Sequence, residues 1–113
     1  MFRGNWRGGS GGGGGTSADL VWATVSSGTF TFTGTTNAVT CDVSSTAITV
    51  QLPLASSFTG KIYTIKHVSG PILTNPITIT SSGGTIDGLT TIVVSQTKST
   101  TRVSSDGINW QII

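Results

Sequence analysis

Run after run, the apolar residues of this chain fall at every second position. Phe30 and Phe32 alternate with Thr29, Thr31 and Thr33, and Val39, Cys41 and Val43 alternate with Thr40, Asp42 and Ser44. Ile48, Val50 and Leu52 alternate with Thr49 and Gln51, after which Pro53 closes the run. Ile77 and Ile79 alternate with Thr78 and Thr80, while Ile108, Trp110 and Ile112 alternate with Asn109 and Gln111. A period of two is that of a pleated strand with one face in a core and the other in water. No segment carries a helical period beyond the single turn that Ala55–Phe58 would make. The pattern restricts the chain to an all-β fold.

Three segments are apolar on both parities: Leu20 to Val25, Lys61 to Val68 and Leu89 to Val94. Strands of that kind are central in a packed body or face a neighbouring subunit. Turn signals separate the runs at Ser27-Gly28, Ser69-Gly70-Pro71, Asn75-Pro76, Ser82-Gly83-Gly84, Asp87-Gly88 and Asp106-Gly107. Asp-Gly and Gly-Gly supply the positive φ that tight hairpins require. About eight to ten short strands punctuated in this way predict an antiparallel β-sandwich, a jelly roll or a small barrel.

Serine and threonine supply 36 of the 113 residues, only 9% are charged, and there is no glutamate. A hydroxyl-coated surface of this kind gives up the lysines that usually protect exposed strand edges. An oligomer that covers those edges is the expected remedy. The net charge is +2 and Lys61, Lys66, Lys98 and Arg102 are scattered, so no basic footprint for nucleic acid emerges. No apolar stretch approaches the ~20 residues of a membrane span. The first residues include arginines without an apolar core and do not read as a secretory signal.

The composition changes abruptly near Thr16. Before it, Phe2, Arg3, Trp6 and Arg7 form a short aromatic and basic tag, followed by Gly8, Gly9, Gly11, Gly12, Gly13, Gly14 and Gly15, interrupted only by Ser10. The layout predicts an anchoring arm with a glycine tether over residues 1–15 and one β-domain over residues 16–113. Two aromatics on a tether have no core of their own to enter, so the expected role of the tag is to dock into a partner.

Ingredients for catalysis are few. Cys41 and His67 are the one conceivable nucleophile and base, against the alternative of a buried thiol and a strand histidine. Asp87 and Asp106 each precede a glycine, where the carboxylate commonly bonds local backbone. No serine lies in a Gly-x-Ser-x-Gly elbow, and the glycine run lacks the Lys-Ser/Thr of a phosphate loop. The sequence therefore predicts no catalytic residues, no metal site and no cofactor.

Four pieces in fixed order carry a resemblance: Leu52-Pro53; Gly60-Lys61-Ile62-Tyr63-Thr64-Ile65-Lys66; Ile86-Asp87-Gly88; and Ser105-Asp106-Gly107-Ile108-Asn109-Trp110. Together they resemble a module at the C-terminal end of bacteriophage tail-fibre and head-fibre-like structural proteins, over roughly Gly28 to Ile113. The resemblance implies a compact β-sandwich knob, trimeric, non-enzymatic and carried on a virion. Tyr63, Ile65, Ile86 and Trp110 are its expected core or trimer-contact residues. No heptads or shaft repeats separate arm from knob, which favours a capsid decoration or head-fibre protein over a long fibre. Its expected partners are two further copies and a major capsid or other virion protein. The alternative is a tail-fibre tip or adaptor that binds host glycans through an exposed aromatic, Trp22 or Tyr63.

Overall fold

The structure, a computed structural model, describes residues 19–113; the arm and tether expected over residues 1–15 lie outside them. The described residues form nine strands: β1 (Trp22–Val25), β2 (Gly28–Thr31), β3 (Ala38–Asp42), β4 (Ile48–Leu52), β5 (Ile62–Ser69), β6 (Ile77–Ser81), β7 (Thr91–Val94), β8 (Thr100–Ser105) and β9 (Trp110–Ile112). Among the described residues, one 3-10 turn, Ala55–Ser57, follows Pro53. One sheet, here called A, has the order β1-β3-β5-β8-β9, and the other, B, has the order β2-β4-β6-β7.

The fold is all-β, but the expected antiparallel arrangement is not what forms. β1–β3, β3–β5, β2–β4 and β4–β6 are parallel pairs, and only β5–β8, β6–β7 and β8–β9 are antiparallel. The chain alternates between sheets, so β1–β2, β3–β4 and β5–β6 are three successive coils stacked edge to edge. A parallel pair needs a long crossover, and here the crossover is the intervening strand of the opposite sheet. Ser27-Gly28 and Ser69-Gly70 are consequently corners between sheets, with positive φ at both glycines, and not hairpins. Period-two alternation fixes which face a residue takes and is silent on strand direction.

Register stacks like on like. On the inner face of sheet B, Phe30, Val50, Ile79 and Ile92 lie in one row, while Thr29, Thr49 and Thr78 form a row on its outer face. Inward residues of both sheets meet in a single core that includes Val39, Cys41, Ile48, Val50, Ile65, Ile77, Ile79 and Val103. Of the segments apolar on both parities, only β5 is central. β1 and β7 are edge strands, and Trp22 and Val93 stay exposed on them.

Trp110 closes the core. It is fully buried, packs edge-on against Tyr63 at 5.6 Å, and Tyr63 in turn lies 4.4 Å from Phe32. Its indole N–H donates to the Pro53 carbonyl (3.0 Å), which ties β9 to the end of β4. Its backbone N–H donates to Thr85 O and its carbonyl accepts from Asp87 N, so the Thr85–Asp87 segment covers the free side of β9. Asn109 Oδ1 accepts from Thr85 N, Asp87 Oδ1 accepts from Ile112 N, and the Ser105 hydroxyl donates to Ala55 O. Gly84 admits this close approach: a Cβ there would stand 2.5 Å from Ile108 O.

Trp110→Phe removes the indole donor and orphans the Pro53 carbonyl. Urea denaturation should show a loss of about 1–3 kcal/mol for the unmade hydrogen bond, and Trp110→Ala should lose about 3–5 kcal/mol.

Candidate functional site

The outer face of sheet A carries an open trough. Register aligns Trp22 of β1, Ala38 of β3, Thr64 of β5 and Arg102 of β8 in one row across the sheet. The next row outward is Thr24, Thr40, Lys66 and Thr100. Small residues at the centre of the first row, between a tryptophan and an arginine, leave a trough. Three strand spacings of about 4.8 Å set its walls about 14 Å apart. Its lining is Leu20, Trp22, Thr64, Lys66, Thr100 and Arg102, and its volume is about 460 Å³.

Asn37 holds the wall in place. Its side-chain oxygen accepts from Val21 N (2.7 Å), its amide donates to Asp19 O (3.0 Å), and the N–H groups of Asn37 and Ala38 donate to Val21 O. These bonds fix Asp19–Val21 against the second coil and leave Trp22 49% exposed beside the trough. On the opposite side, the Lys66 ammonium donates to the Lys98 carbonyl, so this cation is held at the rim. None of the six lining residues is acidic.

Thr64 forms the floor. It is only 4% exposed although its parity turns it away from the core, and its hydroxyl has no hydrogen-bond partner among the described residues. A buried polar group left unmatched destabilises a fold by about 1–3 kcal/mol.

Cys41 and His67 occupy paired register positions on β3 and β5, both buried. The Lys98 backbone N–H can only donate, so His67 Nδ1 accepts it (2.9 Å) and the ring proton sits on Nε2, which donates to Gly70 O (2.9 Å). Both ring nitrogens are thereby committed to backbone. Burial pushes the Cys41 thiol up to about 12, away from thiolate chemistry. The imidazole works as a bracket joining β5, the Gly70 corner and the Lys98 turn. Gly70 has φ +97°, and a Cβ there would meet Ser44 N at 2.3 Å.

Asp87 and Asp106 are turn residues. Asp106 Oδ1 accepts from Ile108 N and Asn109 N, and Oδ2 accepts from the Gln111 amide. These bonds, the backbone ones first, hold its carboxyl below the usual range. Asp42 is lowered likewise, by its bonds with Ser44. Asp87 sits at φ +49° in the turn that covers β9. Among the described residues, no three His, Cys, Asp or Glu side chains gather to hold a metal.

Tyr63, Ile65, Ile86 and Trp110 all lie in the core of the single chain. Tyr63 is therefore not the exposed aromatic that a glycan-binding tip would use, because its ring fills the space between Phe32 and Trp110. Trp110 does not share its burial with its alternation partners: Ile108 belongs to the preceding turn and is 74% exposed, and Ile112 is half-exposed on the edge strand. Sequence reasoning missed β8 altogether, and with it the roles of Thr100 and Arg102. Val103 is the only large apolar residue in Thr-Thr-Arg-Val-Ser-Ser, so alternation had almost nothing to register there. Phe2, Arg3, Trp6 and Arg7 precede the described residues. No protein-family model matches the chain, and no curated protein matches it.

Two outcomes test this account. Cys41 should be silent to a thiol-specific reagent at pH 8 in the folded protein and react at once in denaturant, as followed by absorbance. For Asp106, the folded carboxyl lies below its unfolded value of about 3.9. Its stabilisation is present above that value and is lost as pH falls through the lowered one. Asp106→Ala should thus melt earlier than wild type at pH 7, with the gap closing below about pH 4.

Proposed function

We propose that this chain is a virion structural protein of the capsid-decoration or head-fibre type, with residues 1–15 as the anchor and the β-body as a displayed knob. The observation that carries the reading is the convergence of the resemblance motifs. Pro53, Ser105, Trp110 and the Thr85–Asp87 segment are dispersed in sequence yet meet in one hydrogen-bonded cluster. Those motifs are therefore parts of one folding unit, which supports likening the whole body to the phage module.

The body also has the marks of a subunit. Among the described residues, β1 and β2 are consecutive in the chain and each is the edge of its sheet, so no described strand pairs with the outer side of the first coil. Val21 is exposed at that end, next in sequence to residues 1–18, while Leu20 and Trp22 face the trough. Open edges and apolar side chains beside an arm fit a surface completed by neighbours. In the trimer we propose, the contacts are made by exposed apolar residues such as Leu73, Leu89, Val93 and Ile108, since the four expected contact residues are consumed by the core. Three arms on one knob attach with avidity, each later docking occurring at roughly millimolar effective concentration.

Deletion of residues 1–15 should leave the solution mass at three chains, by light scattering, and abolish attachment to particles. Undiminished occupancy of particles by the truncated protein would refute the anchor, and a monomer in both forms would refute the trimeric knob.

A further inference from the structure

We propose that the trough over sheet A is a binding site for an acidic saccharide, whatever the body itself is attached to. Its volume of about 460 Å³ lies within the roughly 300–1,000 Å³ of small-molecule sites. The composition of its lining determines the class of ligand. Trp22 offers a half-exposed ring face, the kind of surface on which the C–H face of a pyranose stacks. Lys66 and Arg102 place two cations on one side with no acidic residue among the lining, and a guanidinium pairs with a carboxylate through two parallel hydrogen bonds. Thr100 supplies an exposed hydroxyl at the rim.

The position of the trough separates a sugar from a peptide. An extended peptide docks by adding a strand to a free edge and taking backbone hydrogen bonds. Here the floor lies over β3 and β5, which are paired on both sides. Recognition there falls to side chains alone: a ring face, hydroxyls and cations. An acidic sugar has a counterpart for each.

The experiment is calorimetric titration of the full chain with trigalacturonate and 3′-sialyllactose, and with maltotriose, tri-aspartate and AMP as contrasts. At least one acidic saccharide should bind more tightly than all three contrasts, and its affinity should fall as salt is raised. Trp22→Ala and Arg102→Gln should each weaken that binding by about tenfold or more. Failure of both acidic saccharides to bind, equal binding of maltotriose, or binding that survives Trp22→Ala and Arg102→Gln in folded protein overturns the site. Tighter binding of tri-aspartate or AMP overturns the saccharide assignment. Loss of particle attachment on deleting residues 1–15 with saccharide binding retained would keep the two proposals apart.

Discussion

The hydrogen bond from the Trp110 indole to the Pro53 carbonyl is the constraint on which the C-terminal half of the molecule depends. It joins an edge strand of one sheet to the end of an inner strand of the other, across a gap the indole itself fills. Around it, Thr85, Asp87, Asn109 and Ser105 satisfy backbone groups that the covering loop would otherwise bury unpaired. A three-residue strand such as β9 has little pairing of its own. It persists because β8 holds one side, the Thr85–Asp87 segment holds the other, and the tryptophan pins it from beneath.

Much of this was legible in the sequence, and the limits have identifiable causes. Alternation placed Val39, Cys41, Ile48, Val50, Leu52, Ile77 and Ile79 on inward faces, because burial of a pleated strand has only two choices at each position. The same signal could not separate a hairpin from a coil, since the corner glycines and the hairpin glycines answer the same need for positive φ. The trough was less visible still. Its walls come from β1 and β8, which lie far apart in sequence, and its floor depends on a register that places Ala38 and Thr64 between Trp22 and Arg102. Trp22 was legible as a candidate exposed aromatic, whereas Lys66 and Arg102 read only as scattered cations, Arg102 in a strand too polar to register.

The parallel coils explain how a chain with so few charges keeps its outer faces regular. Stacking in register sets Thr29, Thr49 and Thr78 side by side on sheet B, and on sheet A the Thr40 hydroxyl bonds that of Thr24 at 3.1 Å. Branched hydroxyl side chains suit a pleated face open to water. Hydration is thereby distributed over a lattice of neutral groups, and two of the few cations, Lys66 and Arg102, stand at the rim of the trough.

Asn37 gives the stack a mechanical character. Any load carried through the residues before Asp19 enters the body at Asp19–Val21, where the side chain of Asn37 holds two backbone groups and Val21 O accepts two N–H groups in return. Force therefore meets this clamp before it reaches the core. A pull strong enough to strip the first coil would undo the Trp22 wall of the trough while the Trp110 cluster, at the far end of the chain, stayed intact. The point at which the chain enters the body and the shape of its outer face are, in this sense, set by the same asparagine.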